Sequence, residues 1–201
     1  GVGTLGVMDD DAVGLSNLQR QILFGTADVG RPKVAVAAEA LTRLNPHVRV
    51  ETHERRLGAD DAAELAAGHD LVLDGTDNFA TRYLANAACV AAGRPLVAAA
   101  MGQWEGQISL YDPARGGPCY ECVFPEAPAE GLAPTCAAAG IVGALPGIMG
   151  SLMALEAIKA IAGAGEGLRG RLLIFDALHA EARRIRVGAR AGCPCCGGRG
   201  G

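Results

Sequence analysis

Positive charge is the first thing this sequence is short of. Its 201 residues carry 18 Lys and Arg against 22 Asp and Glu, a formal net charge of −4. A general nucleic-acid binder usually presents a strongly basic face, so that class is set aside. Histidine is scarce as well: His47, His53, His69 and His179 lack the spacing of metal ligands and read as surface or turn residues. Nothing resembles the His or Tyr dyad of hydride transfer, which counts against an NAD-dependent dehydrogenase on a similar sheet. No internal repeat divides the chain, and its length suits one α/β domain with a sizeable core. Long uncharged runs are rare too. One runs from Ala137 to Leu155, but it holds Gly140, Gly143, Pro146, Gly147 and Gly150, and Glu156 and Lys159 follow at once. A membrane span needs about 20 predominantly apolar residues. The Pro and Gly interruptions and the lack of a second candidate favour a buried core or subunit-interface helix in a soluble, cytoplasmic protein.

Cysteine, by contrast, is plentiful: there are seven. An odd number, mostly in close pairs, reads as metal binding in a reducing compartment rather than as a disulfide framework. Cys119-Tyr-Glu-Cys122 and Cys193-Pro-Cys195-Cys196 form two Cys-x-x-Cys knuckles. Four thiolates are the usual closed, tetrahedral set of a structural zinc site. The spacing pairs Cys193 with Cys196 and leaves Cys195 over, although the choice among these three stays open. A redox dithiol and a cysteine-rich tail are the alternatives. Four thiolates would leave no open position, so such a metal would clip the tail to the sheet and do no chemistry. Cys89, among alanines, reads as buried filler. Met101 and Trp104 read as core or subunit contacts.

Along the chain, strand and helix signals alternate. Thr4 to Met8 is a short apolar strand ending in Asp9-Asp10-Asp11. Pro32 suits a first helical position, and Val34, Ala38, Leu41 and Leu44 recur at helical spacing until Asn45-Pro46 stops the helix. Val48 to His53 alternates as a strand with one wetter face. Asp60 to Ala67 is a short helix, Leu71 to Leu73 a buried strand, and Asn78 to Ala92 a helix that Asp77 or Asn78 could cap. Leu96 to Ala100 is the next strand. This rhythm predicts a Rossmann-like α/β fold with a parallel sheet in the first half. Gln107 to Tyr111 follows too closely for a helical crossover, so the second half continues antiparallel. An apolar helix around Ile148 to Ile161 and two strands, Leu172 to Phe175 and Arg184 to Val187, complete the pattern.

Gly1-Val-Gly3-Thr-Leu-Gly6 has the letters of a dinucleotide fingerprint, yet no strand precedes it and a strand, not a helix, follows. We read it as the turn into the second strand of such a unit, with Asp9 at that strand's end as the acceptor for ribose hydroxyls. Asn17 and Arg20 offer phosphate oxygens a neutral and a charged donor about one helical turn apart. Lys33 lies in the first turn of a helix, where peptide dipoles favour an anion.

The run Asp9-x-Asp11-x-Val13-x-x-Ser16-Asn17-Leu18-Gln19-Arg20-Gln21, then Arg31-Pro32-Lys33, then Asp74-Gly75-Thr76-Asp77-Asn78 resembles the ubiquitin-activating-enzyme-like adenylyltransferase superfamily (ThiF/MoeB/HesA). The resemblance covers nearly the whole chain. It implies that Asp9 binds the ribose of ATP, that Asn17, Arg20 and Lys33 contact the triphosphate with Ser16 in the same loop, and that Asp77 holds Mg²⁺ with Asn78 beside it. It supports Zn²⁺ on Cys119, Cys122, Cys193 and Cys196. Cys136 resembles the thiol that, in the thiamine branch, can link covalently to the activated carrier. The implied reaction is adenylylation of the C-terminal glycine of a small ubiquitin-like sulfur-carrier protein, with a separate sulfur donor acting later and a homodimer as the usual assembly. Residues Met101 to Gln107 and Pro118-Cys119-Tyr120 look nearer to the molybdopterin branch, with the thiamine branch the alternative and a nucleotide-free carrier-binding scaffold a third class. Residues 1–201 are expected to be a single adenylyltransferase domain lacking its phosphate-loop strand and helix, since a βαβ unit needs about 30 residues or more. Such a chain should bind Mg-ATP poorly and expose apolar surface along Thr4 to Met8 and Leu71 to Asp74.

Overall fold

The computed structural model describes residues 2–128 and 140–198. The chain divides into two compact units, Gly1–Leu57 and Gly58–Gly201. In the first, β1 (Thr4–Met8) pairs in parallel with β2 (Arg49–His53), Thr4 opposite Arg49 and Met8 opposite His53, and α1 (Lys33–Leu44) packs on both strands. Pro32 stands just before the helix rather than inside it, its fixed φ of −55° leading into the first turn. The buried side of α1 differs from the expected stripe. It consists of Lys33, Val34, Val36, Ala37 and Ala40, while Leu44 is 75% exposed. The helix turns inward the side bearing Lys33, because acids on the loop after β1 hold that ammonium.

The second unit holds a five-stranded sheet in the order β3 (Val72–Asp74), β4 (Leu96–Met101), β5 (Glu105–Tyr111), β6 (Arg171–Asp176) and β7 (Glu181–Arg186). Only β3 and β4 run parallel; every later pair is antiparallel. The expected reversal after Met101 is therefore present, and the two parallel pairs belong to separate sheets. β3 forms an edge: Asp74 is buried, but Leu73 is 48% exposed, so the strand is not buried throughout and shows apolar surface as expected along Leu71 to Asp74.

α2 (Ala62–Ala67) packs on α3 (Phe79–Ala92). α3 starts where Asn78 Oδ1 accepts the Thr81 N–H at 2.9 Å and ends at Gly93, whose φ of 65° is a left-handed cap. A single turn, α4 (Tyr120–Val123), carries the first cysteine knuckle. α5 (Leu145–Ala162) lays Leu145, Met149 and Met153 against Val97, Ala99, Ile108 and Leu110 of the sheet. The approach is close enough that a Cβ on Gly106 would run into the Met149 side chain. By length and composition this 18-residue helix could cross a membrane. One face is core, as expected; the other leaves Ile148, Leu155, Ile158 and Ile161 exposed. Trp104, in the β4–β5 turn, is 42% exposed and is no core residue.

Candidate functional site

In the first unit the loop after β1 gathers three acids whose carboxylate oxygens lie within 4.8 Å of one another: Asp9, Asp10 and Asp11. The Asp9 N–H donates to His53 O at 3.2 Å, prolonging the β1–β2 ladder, and Asp9 Oδ1 accepts the Asp11 N–H at 2.8 Å. Lys33 Nζ lies 2.7 Å from Asp11 Oδ2 and 3.7 Å from Asp9 Oδ2. The sequence-selected acid and lysine thus meet, with the lysine buried and already ion-paired. Arg56 holds Asp10 at 2.7 Å. Ser16 and Asn17 share a short 3-10 turn, in which Asn17 Oδ1 accepts the Gly14 N–H at 2.9 Å. Arg20 Nη1 donates to Ser16 O at 2.9 Å, folding the guanidinium back on the turn. The acceptor oxygen of Asn17 is therefore engaged by the backbone, and its amide nitrogen is the end suited to an anion.

In the second unit β3 ends in Asp74, whose Oδ1 accepts from Thr76 N at 2.9 Å and Thr76 Oγ1 at 2.7 Å, closing an Asx-type turn. Asp74 Oδ2 is buried and takes no hydrogen bond among the described residues. The turn presents Asp77 to solvent. Asn78, not Asp77, caps α3, so the Asp77 carboxylate has no part in holding the helix. Arg82, one turn into α3, is buried; it donates to Ala99 O at 2.8 Å and also to Thr76 O. Arg82 was not among the residues singled out from the sequence, where its one signal is its four-residue spacing from Asn78 and Asn86 on α3. Burial pushes the Tyr120 hydroxyl up to about 12 and raises that of Tyr111, so both rings are neutral neighbours of this loop.

The cysteine knuckles converge. Cys119 Sγ lies 3.7 Å from Cys122 Sγ and 3.7 Å from Cys193 Sγ, and Cys122 Sγ lies 3.4 Å from Cys196 Sγ. All four sulfurs fall within 4.8 Å of one another and all four residues are buried. A tetrahedral zinc with bonds of about 2.3 Å has sulfur–sulfur edges of about 3.8 Å, so the set fits such an ion. Burial raises the Cys119 and Cys122 thiols, whereas at Cys193 burial is outweighed by the N–H groups of Cys196 and Cys195, which pull it down to about 7. A thiophilic cation would have to displace the protons of the first pair. Cys195 lies outside the set and accepts a hydrogen bond from Asn86 Nδ2 at 3.1 Å. Asn86 is 1% exposed, and its Oδ1 accepts the Tyr120 N–H at 2.8 Å. In the sequence Asn86 is marked only as a lone Asn among helical alanines, and its partners are not legible there. Cys89 is buried in α3, and burial lifts its thiol to about 12, so it is inert filler. Cys136 lies outside the described residues.

The family model of the ThiF family matches residues 1–195. A protein named sulfur carrier protein adenylyltransferase, from Thermus thermophilus, is 48% identical over 201 residues, covering 98% of this chain and 74% of that one. The adenylyltransferase and sulfurtransferase MOCS3 of Mus musculus is 48% identical over 198 residues, which are 98% of this chain but 43% of that protein. Among solved structures, E. coli MccB with ATP matches with a TM-score of 0.81 over 98% of this chain and 60% of that one; at 23% identity the likeness concerns the fold alone. The resemblance carried by the Asp9–Gln21, Arg31–Lys33 and Asp74–Asn78 motifs holds, and the chain belongs to the ThiF family, among proteins named as adenylyltransferases.

Proposed function

We propose that this chain catalyses ATP-dependent adenylylation of the C-terminal glycine of a small ubiquitin-like sulfur-carrier protein. The observation that carries the reading is 48% identity, across 98% of the chain, to a sulfur carrier protein adenylyltransferase. In the reaction a carboxylate oxygen of the carrier forms a bond to the α-phosphorus of ATP as the bond from that phosphorus to the pyrophosphate oxygen breaks. The carboxylate is ionised near neutral pH, so no strong base is needed. The work is positioning and charge neutralisation.

Asp9, at the C-terminal end of a parallel strand, is proposed to accept the ribose hydroxyls. Ser16, Asn17, Arg20 and Lys33 supply polar and cationic groups for the phosphates. Asp77, an exposed carboxylate just past β3, offers the hard oxygen ligand that Mg²⁺ prefers, with Asn78 beside it. Such an ion neutralises phosphate charge. Zn²⁺ on Cys119, Cys122, Cys193 and Cys196 is structural, because four thiolates leave no open position. The molybdopterin branch is favoured over the thiamine branch by the Met101 to Gln107 and Pro118-Cys119-Tyr120 segments, and sulfur then comes from a separate donor. In the thiamine alternative, Cys136 is the thiol proposed to link covalently to the activated carrier. The exposed apolar side of α5 suits a homodimer, and the six cysteines among the described residues, all free, suit the cytoplasm.

The test mixes full-length protein with Mg-ATP and candidate carriers from each branch, reading pyrophosphate exchange and the mass of the carrier. A carrier gaining an adenylyl group identifies the branch. Neither exchange nor adenylate with any glycine-ended carrier would exclude the reading.

A further inference from the structure

α3 carries three polar side chains at intervals of four residues, Asn78, Arg82 and Asn86, which lines them along one side of the helix. Each reaches off the helix to a different segment. Asn78 caps the first turn beside Asp77. Arg82 holds Thr76 O, in the turn that presents Asp77, and Ala99 O within β4. Asn86 takes the Tyr120 N–H and donates to Cys195 Sγ. Tyr120 follows Cys119, and Cys195 precedes Cys196. Asn86 therefore grips both knuckles while ligating nothing.

Asparagine is a poor helix-interior residue, and burying its amide is costly unless the amide is hydrogen-bonded. At 1% exposure its place is justified only by those two partners. The knuckles are otherwise far apart in sequence, and an ion on their four sulfurs would lock them into one rigid piece. Through Asn86 that piece would hold α3, and α3 begins at the turn that carries Asp77.

We propose that Asn86 is a positioning residue that couples the four-cysteine metal clip, through α3 and Arg82, to the turn presenting Asp77, and that Cys195 is its anchor rather than a metal ligand. The proposal rests on the metal-clip reading given above.

Full-length protein is first assayed for bound zinc. Zinc affinity is then measured by chelator competition, and hydrogen exchange is followed in residues 74–82. Asn86→Ala should weaken zinc binding about 10- to 100-fold, the usual effect of losing a partner that orients ligands. In the zinc-saturated variant, residues 74–82 should exchange as fast as in metal-stripped wild-type protein. Asn86→Asp keeps the acceptor for Tyr120 but loses the donor, and should fall between. If Asn86→Ala does not fold, Asn86→Asp and Cys195→Ala supply the same readings. Cobalt-loaded Cys195→Ala should retain the full four-thiolate charge-transfer band; a diminished band would make Cys195 a ligand and overturn its anchor role. Zinc affinity within twofold of wild type in Asn86→Ala, or unchanged exchange protection once zinc is saturating, would overturn the coupling while leaving the metal clip standing. Protein that binds no zinc would remove the clip and the coupling together.

Discussion

Lys33 Nζ sits 2.7 Å from Asp11 Oδ2, and the lysine is only 7% exposed. A lysine in that state either meets the phosphates or merely steadies the acidic loop, and the two roles separate by mutation. Lys33→Ala should lower pyrophosphate exchange about 10²-fold or more, as loss of a preorganised charge donor does. Asp11→Asn should leave most of the exchange rate intact. Equal losses in the two variants would show that the pair is structural. Arg20→Ala, which removes a guanidinium now resting on Ser16 O, should match Lys33→Ala.

Asp77→Ala should abolish exchange and leave the fold unchanged, because Asn78 is the cap of α3. Asn78→Ala, conversely, should cost about 1 kcal/mol of stability, the typical value of an N-cap. Circular dichroism and urea unfolding of both variants check the separation. Near-normal exchange in Asp77→Ala would place the magnesium-holding group elsewhere.

One zinc per chain is expected on Cys119, Cys122, Cys193 and Cys196, read by metal analysis of purified protein. Cys119→Ser should lower stability by several kcal/mol (order of magnitude), since binding and folding of such a clip are linked. A metal-free chain that folds normally would refute the site. Cys136→Ala should leave adenylate formation unchanged, and loss of a thiol-labile carrier adduct on a non-reducing gel would establish a covalent role.

The β6–β7 turn carries a strain and an acid switch together. Ala180, with φ 55°, is the one non-glycine residue at positive φ among the described residues. Left-handed backbone costs an L-residue roughly 1–2 kcal/mol, so Ala180→Gly should stabilise by about 1 kcal/mol in urea unfolding. Asp176 accepts from the His179 ring and from the N–H groups of His179 and Leu178. The His179 side-chain bond first, and then its backbone N–H, hold the Asp176 carboxyl below its usual range. A depressed folded value means the stabilisation is present above the unfolded carboxylate range and is lost as pH falls through the folded value. The stability gap between wild type and Asp176→Asn should therefore close on acidification.

Much of this molecule was legible because its signals are local. The reversal after Met101 followed from spacing: residues 101–106, between the two expected strands, are too few for a parallel crossover, which takes a dozen or more. The pairing of the two knuckles followed from the same arithmetic, and the sulfurs of Cys119, Cys122, Cys193 and Cys196 do come together. What escaped were polar residues that turn inward. Lys33 and Arg82 look like surface residues to any binary pattern, yet each is buried because specific oxygens wait for it. Asn86 stands out among helical alanines, but its role was not legible because its partners, Tyr120 and Cys195, are remote in sequence. The run from Leu71 to Leu73 reads as a buried strand by itself, since an apolar run does not say whether its strand has a neighbour on both sides; the exposure of Leu73 was legible only from the expected missing neighbour.

The crowding of sulfur around Cys122 has a consequence for handling the protein. Thiols 3.4 to 3.7 Å apart need little motion to pair. A bound cation occupies those lone pairs and shields them from attack. Stripped by a chelator in air, the same four thiols would oxidise in competing combinations, and any of these would block reloading. Apo-protein prepared under reductant should take zinc back, and apo-protein aged in oxygen should not until a dithiol is added; a bound ion would thus preserve its own site.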